Sequence, residues 1–225
     1  MKYISPLVSR VFGRPGPRSL TILGSTGSIG TSALSVVAKN PDAMRVIALA
    51  GARNVELLAR QADMFRPRYL SVLSEEKARE LRKLLPAGYA PEILVGREGY
   101  TALATLADAD LVLAAQVGAA GLVPALAAAG AGKVLCLANK EALVLAGDLF
   151  RRTCAENGAV ILPVDSEHNA LFQAFAGHDG RQAVRLILTA SGGPFRTWPA
   201  DRIRSVTPAQ VFFGLTDGQI LAPPR

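Results

Sequence analysis

The sequence is poor in several residue types, and each scarcity removes a class of protein. Cysteine occurs twice, at Cys136 and Cys154, too seldom for a disulfide framework. Both lie among apolar residues and read as buried, reduced thiols. The two histidines stand alone: His168 reads as a structural hydrogen-bond donor and His178, in a Gly-flanked turn, as solvated. Aromatic residues are 6% of the chain, and no basic stripe is interleaved with them. Four of the seven excess positive charges, Lys2, Arg10, Arg14 and Arg18, fall in an opening stretch that contains no acid. A nucleic-acid partner is therefore not expected, and anionic small molecules account for the remaining charge. The longest apolar stretches, 111–115 and 142–146, are too short to cross a bilayer, so no membrane partner is expected. The opening tail, residues 1–18, lacks both the apolar core of a secretory signal and an amphipathic helix. It reads as disordered in a cytoplasmic protein, with plastid-type targeting the alternative that its basic, acid-free composition leaves open.

What is present is a repeating pattern. Half of the residues are hydrophobic, enough to bury the core of one large α/β domain or of a domain and part of another. Residues 20–23 form a short apolar run that breaks at Gly24-Ser25-Thr26-Gly27-Ser28-Ile29-Gly30 and resumes with helical spacing at Ile29, Ala33, Val36 and Val37. Strand, glycine-rich loop, helix is the arrangement that holds a dinucleotide pyrophosphate, because a helix start has unpaired N–H groups and glycine lets backbone approach an anion. The spacing G-x-x-G-x-x-G differs from the commonest NAD fingerprint, G-x-G-x-x-G. A turn that only packs helix on strand fits the same residues. Short-chain dehydrogenases share such a loop, but none of Tyr3, Tyr69, Tyr89 or Tyr100 has the lysine four residues on that they require. A second strand, 45–50, runs into Gly51-Ala52-Arg53-Asn54, where an NAD site places an acid. Arg53 instead offers a guanidinium to a 2′-phosphate, which favours NADP.

Strands at 68–73, 92–95, 110–115 and 133–138 alternate with helices at 55–65, 75–85, 99–106, 122–129 and 142–157. This alternation predicts a doubly wound parallel, Rossmann-like α/β sheet with its ligands beyond the carboxyl ends of the strands. The strand at 133–138 ends in Asn139-Lys140-Glu141. Asn139 and Glu141 fit a helix start, whereas Lys140 opposes the helix dipole and points to an anionic or polar substrate. The strand at 159–164 leads into Asp165-Ser166-Glu167-His168-Asn169. In extended backbone Asp165 and Glu167 present two carboxylates to one side, suiting Mg²⁺ or Mn²⁺. A capped helix start is the equal alternative. A further strand at 184–189 ends in Ser191-Gly192-Gly193, which fits either a phosphate cradle or a plain turn.

Residues 20–30, 137–141, 162–169 and 191–195, in this order and spacing, together resemble the 1-deoxy-D-xylulose 5-phosphate reductoisomerase family over about residues 19–210. The resemblance implies that Thr26, Gly27, Ser28 and Ile29 hold the NADPH pyrophosphate and neighbouring ribose, and that Ala52, Arg53 and Asn54 surround the adenosine ribose phosphate. It implies that Asn139 and Glu141 line the cofactor site, and that Lys140, Ser166 and Ser191 contact the substrate. Asp165 and Glu167 match two of three ligands to a divalent cation, Mn²⁺ or Mg²⁺. The implied reaction isomerises 1-deoxy-D-xylulose 5-phosphate and reduces the product to 2-C-methyl-D-erythritol 4-phosphate in non-mevalonate isoprenoid synthesis, within a homodimer. The implied organisation is an NADPH domain over 19–158, the opening of an α+β catalytic domain over 159–210 and an atypical tail over 211–225. The family's His-Pro-x-Trp-x-Met-Gly lid, third metal-binding glutamate and phosphate clamp have no counterpart here, and Trp198 lies before the lid should begin. The expectation is a truncated, poorly active and doubtfully dimeric form, with a non-catalytic NADPH-binding module as the alternative.

Overall fold

Short apolar runs bounded by glycine, proline and polar residues become strands because only a covered parallel sheet can bury them on both faces. In a computed structural model of the chain, described over residues 15–175, 183–187 and 195–207, seven strands form one parallel sheet in the order β4-β3-β2-β1-β5-β6-β7. The strands are β1 (Arg18–Leu23), β2 (Met44–Ala50), β3 (Tyr69–Val72), β4 (Glu92–Val95), β5 (Leu111–Ala114), β6 (Val134–Leu137) and β7 (Val160–Pro163). Between them run α1 (Ser28–Lys39), α2 (Val55–Phe65), α3 (Glu75–Leu84), α4 (Gly96–Ala104), α5 (Leu122–Gly130) and α6 (Lys140–Asn157), and α7 (Ser166–Ala174) follows β7.

Side-chain alternation along each strand sorts the core into two layers. Leu20 and Ile22 of β1 pack with Leu34, Leu58 and Leu81 of α1, α2 and α3. Leu23, Val112 and Leu135 pack with Leu103, Ala128 and Phe150 of α4, α5 and α6 on the other face. Each of the larger of these side chains contributes about 1.5–3 kcal/mol on leaving water. The strand order reverses between β1 and β5, which are in register from Leu20 opposite Leu111 to Leu23 opposite Ala114. That reversal opens a crevice at the carboxyl ends, where doubly wound sheets take ligands.

Local chemistry sets the element ends. Helix α4 begins at Gly96, three residues before its predicted start, because a glycine with φ +69° turns β4 straight into the helix. It stops at Ala104, where Thr105 Oγ1 donates to Thr101 O and Ala102 O. Helix α6 begins two residues before its expected start, with Asn139 as its cap, and is broken at Ala146 (φ −145°, ψ 30°) beside Gly147. The strand expected over 184–189 is absent in its described part: residues 183–187 have no ladder partner among the described residues, and Val184, Leu186 and Ile187 are exposed. Alternation marks apolar faces, whereas a strand also needs a neighbour to accept its hydrogen bonds.

The chain divides into two compact units, the first ending at Asn169 and the second beginning at Ala170. The sheet and its helices lie in the first. The described part of the second holds the end of α7 and a short helix α8 (Ala200–Ile203), beside which Trp198 packs edge-on to Phe195 and under the Arg202 guanidinium. Among the described residues no helix is long and apolar enough to cross a membrane.

Candidate functional site: the carboxyl edge of the sheet

The glycine loop after β1 is held at every point except the one facing outward. Gly24 N–H and Ser25 N–H both donate to Ala50 O, at 2.9 and 2.8 Å. Gly24 has φ +92°, and a Cβ there would stand 2.7 Å from Ala115 O, so the loop crosses the strand-order reversal in contact with the end of β5. Gly30 packs the first turn of α1 on the loop, its Cα facing Gly24 O and the Ser25 backbone. Gln61 of α2 donates Nε2–H to Ser25 O (2.9 Å) from a buried position. Gly27, Ser28 and Ile29 are exposed. Gly27 stands at the cap position of α1 without a side-chain cap, and the first turn holds no acid. The first N–H groups of α1 therefore face solvent with the positive end of the helix dipole behind them, suited to an anion.

The turn after β2 lies beside this loop, with Thr26 against Gly51. Ala52, Arg53 and Asn54 are exposed. Asn54 caps α2, its Oδ1 accepting from Leu57 N–H at 3.0 Å, and no carboxylate pairs with Arg53 among the described residues. A dianionic group would meet the Arg53 guanidinium without displacing an acid.

Asn139 is 3% exposed and occupied at both ends. Its Oδ1 accepts from Ala142 N–H (3.2 Å) to cap α6, and its Nδ2 donates to Gly118 O (2.9 Å) in the 3-10 turn Gly118–Gly121 that follows β5. It ties two strand-end loops together, while Glu141 and Lys140 beside it are exposed. Lys140 Nζ lies 3.3 Å from Asp165 Oδ2, which raises its pKa above the ordinary lysine value.

Asp165 and Glu167 do not share one face of an extended strand, as one of the two sequence readings had it. The backbone turns helical at Ser166, and Asp165 stands before the first turn of α7, its Oδ1 near His168 N–H (3.4 Å) and His168 Nδ1 (3.3 Å). The Asp-Ser-Glu order satisfies orphan N–H groups better as a cap than as strand, so the capping alternative prevails. Burial opposes the charge on Asp165, but the His168 N–H and the Lys140 ammonium outweigh it and hold the carboxyl below the usual range. Glu167 Oε2 accepts from Ser166 Oγ at 2.7 Å. Among the described residues no set of three His, Cys, Asp or Glu gathers around a point. Ser191, with 188–194, lies outside the described residues, as does His178.

Two positions were not legible as site residues in the sequence. Gln61 supports the glycine loop, and the Tyr100 hydroxyl donates to Gly51 O at 3.2 Å from α4. No local motif marks either, since both act across the fold.

A glycine bend at the strand-order reversal, a cationic turn beside it, and a lysine–carboxylate pair two strand-ends further on define a doubly wound α/β protein. The chain belongs to the 1-deoxy-D-xylulose 5-phosphate reductoisomerase family. The family's sequence profile matches residues 20–147, and the profile of the 1-deoxy-D-xylulose 5-phosphate reductoisomerase C-terminal domain matches residues 161–213. The 1-deoxy-D-xylulose 5-phosphate reductoisomerase of Oleidesulfovibrio alaskensis is 61% identical over 208 residues, covering 92% of this chain and 51% of that protein. The Nitratidesulfovibrio vulgaris protein of the same name is 60% identical over 207 residues, with the same coverage. Among solved structures, the Zymomonas mobilis reductoisomerase in complex with NADPH superposes with a TM-score of 0.76 at 42% identity, covering 87% of this chain and 51% of that one. A reductoisomerase in complex with NADPH, fosmidomycin and magnesium superposes with a TM-score of 0.74 at 42% identity, over 84% of this chain and 49% of that one. The chain thus spans about half the length of the relatives it matches.

Proposed function

We propose that this chain binds NADPH along the carboxyl edge of its sheet and carries the cofactor side and part of the metal side of 1-deoxy-D-xylulose 5-phosphate reductoisomerisation to 2-C-methyl-D-erythritol 4-phosphate. The observation that carries the reading is the α1 start: glycines press the loop against β5 and α1, while Gly27, Ser28 and Ile29 stay exposed and the first turn holds no acid. Thr26, Gly27, Ser28 and Ile29 would hold the pyrophosphate, and Ala52, Arg53 and Asn54 the 2′-phosphate. From β2 to β6 is three strand spacings, ~14 Å, a span suited to an extended dinucleotide with its adenosine on the Arg53 side. Asn139 positions the loops that the nicotinamide half would cross, with Glu141 beside it.

Asp165 and Glu167 fit a divalent cation by donor chemistry, since both offer hard carboxylate oxygens. When bound, NADPH supplies hydride and Mg²⁺ or Mn²⁺ polarises the substrate's carbonyl and hydroxyl oxygens. Lys140 would present its ammonium to a substrate oxygen, Ser166 would contact the substrate, and Ser191 would contact it on the phosphate side. Among the described residues no third His, Cys, Asp or Glu joins Asp165 and Glu167, and the 225-residue chain is expected to bind cofactor better than it turns substrate over. The test is a fluorescence titration with NADPH, followed by an absorbance assay with 1-deoxy-D-xylulose 5-phosphate and Mn²⁺. Saturable binding supports the reading and its absence refutes it, while binding without turnover on any timescale favours the non-catalytic module.

A further inference from the structure

Two buried side chains outside the expected contact residues reach backbone carbonyls of the cofactor cradle, and they reach different halves of it. Gln61 holds Ser25 O in the glycine loop, and Tyr100 holds Gly51 O at the head of the turn that carries Arg53. Building on the NADPH reading, we propose that Tyr100 is a positioning residue that sets the preference for a 2′-phosphorylated nucleotide, acting through the Gly51 carbonyl on the 51–54 turn.

The argument follows the peptide units one by one. The unit joining Ala50 to Gly51 is pinned from both neighbouring strands. Its oxygen accepts from Gly24 and Ser25, and its N–H donates to Ser71 O at 3.0 Å. Nothing about Tyr100 is needed to hold it. The next unit, from Gly51 to Ala52, is the first free to rotate, and its oxygen meets the Tyr100 hydroxyl. Beyond it the turn is closed by Val55 N–H donating to Arg53 O (3.1 Å) and by the Asn54 cap. Gly51 is buried, with Thr26 Cγ2 3.1 Å and Leu58 Cδ2 3.3 Å from where a Cβ would lie, so side chains of the glycine loop and of α2 pack against this point of the turn. Tyr100 itself is 8% exposed, and burial pushes its hydroxyl up to about 12, so it stays a donor throughout the neutral range.

Removing that hydroxyl leaves a buried carbonyl without its donor, and the unit rotates to find another. Ala52 and Arg53 move with it. The glycine loop does not, because Ala50 O and Gln61 still hold it. Loss should therefore fall on the contact with the 2′-phosphate and spare the pyrophosphate.

The experiment measures dissociation constants of NADPH and NADH by fluorescence titration of the whole chain and its variants at one ionic strength. Tyr100→Phe is expected to weaken NADPH about 5-fold to 10-fold and NADH by less than about 2-fold, the size of one unsatisfied buried acceptor. Gln61→Leu is expected to weaken both nucleotides by a similar factor. In the Arg53→Ala background, Tyr100→Phe should add little further loss for NADPH, since both changes act on one contact. Equal weakening of both nucleotides by Tyr100→Phe, no weakening of either, or additive losses in the double variant would each overturn the proposal. Wild-type chain that binds neither nucleotide would instead overturn the NADPH reading on which it rests.

Discussion

At Gly30 a methyl group would stand 2.4 Å from Gly24 O and 2.5 Å from Ser25 Cα, both backbone, whereas at Gly27 the nearest atom is 3.5 Å away. The two glycines of one loop thus answer different needs: Gly30 permits helix α1 to touch the loop, and Gly27 keeps the outer surface low for an anion. Gly30→Ala is expected to destabilise the fold by about 1–3 kcal/mol, as overpacking against immovable backbone does, and to abolish measurable NADPH binding. Gly27→Ala should cost at most about 1 kcal/mol, alanine being a poorer helix cap than glycine, and act chiefly on binding. Matching denaturation and titration curves for the pair would refute this division. The two thiols permit a second measurement. Burial pushes Cys136 up to about 11 and raises Cys154 as well. Since the thiolate is the nucleophile, both should react slowly with a disulfide reagent at pH 8 and at once after unfolding in denaturant. Immediate reaction of either in the native chain would show that burial does not hold its pKa up.

Asn139 binds an element to its neighbour: one side chain caps α6 and holds the turn after β5. Asn139→Ala removes a cap and leaves Gly118 O without its donor, for an expected loss of about 2 kcal/mol. Asn139→Asp keeps the acceptor for Ala142 and loses the donor, so it should recover part of that stability. Equal midpoints in urea for the two variants would sink the dual assignment. Elements were the most legible level of this molecule. Helix α2 and strand β4 were readable to the residue, because Asn54 marks a cap and the short apolar run Glu92–Val95 follows a glycine and proline break. Gly96 misled at α4, since its positive φ is invisible in spacing alone. The described part of the run predicted at 184–189 shows the other limit: its apolar residues are there, but pairing depends on a partner that local sequence does not name. The same holds for the site. The positions proposed for Arg53, Lys140 and Asp165 follow strands and can be read from that alone, while the contacts of Tyr100 and Gln61 become visible only when helices α4 and α2 are packed on the sheet.

Over the whole molecule, a ligand that binds only the folded chain adds its binding free energy to folding, so cofactor choice can be read as a melting temperature. At 100 times its dissociation constant a nucleotide stabilises by about 2.7 kcal/mol. For a chain of this size that is roughly 5–10 °C. Arg53 is exposed and pairs with no carboxylate among the described residues, so Arg53→Ala should leave the unliganded melting temperature within about 1 °C of wild type. Its effect should appear only with ligand. If the guanidinium meets the 2′-phosphate, NADPH raises the wild-type midpoint well above NADH at equal concentration, because each tenfold in affinity is about 1.4 kcal/mol. In Arg53→Ala the two nucleotides should then give the same smaller shift. Added salt should narrow the wild-type difference, as screening weakens an exposed charge pair more than the backbone contacts of the glycine loop. A variant that still separates NADPH from NADH as wild type does would move the recognition of the 2′-phosphate away from the turn after β2.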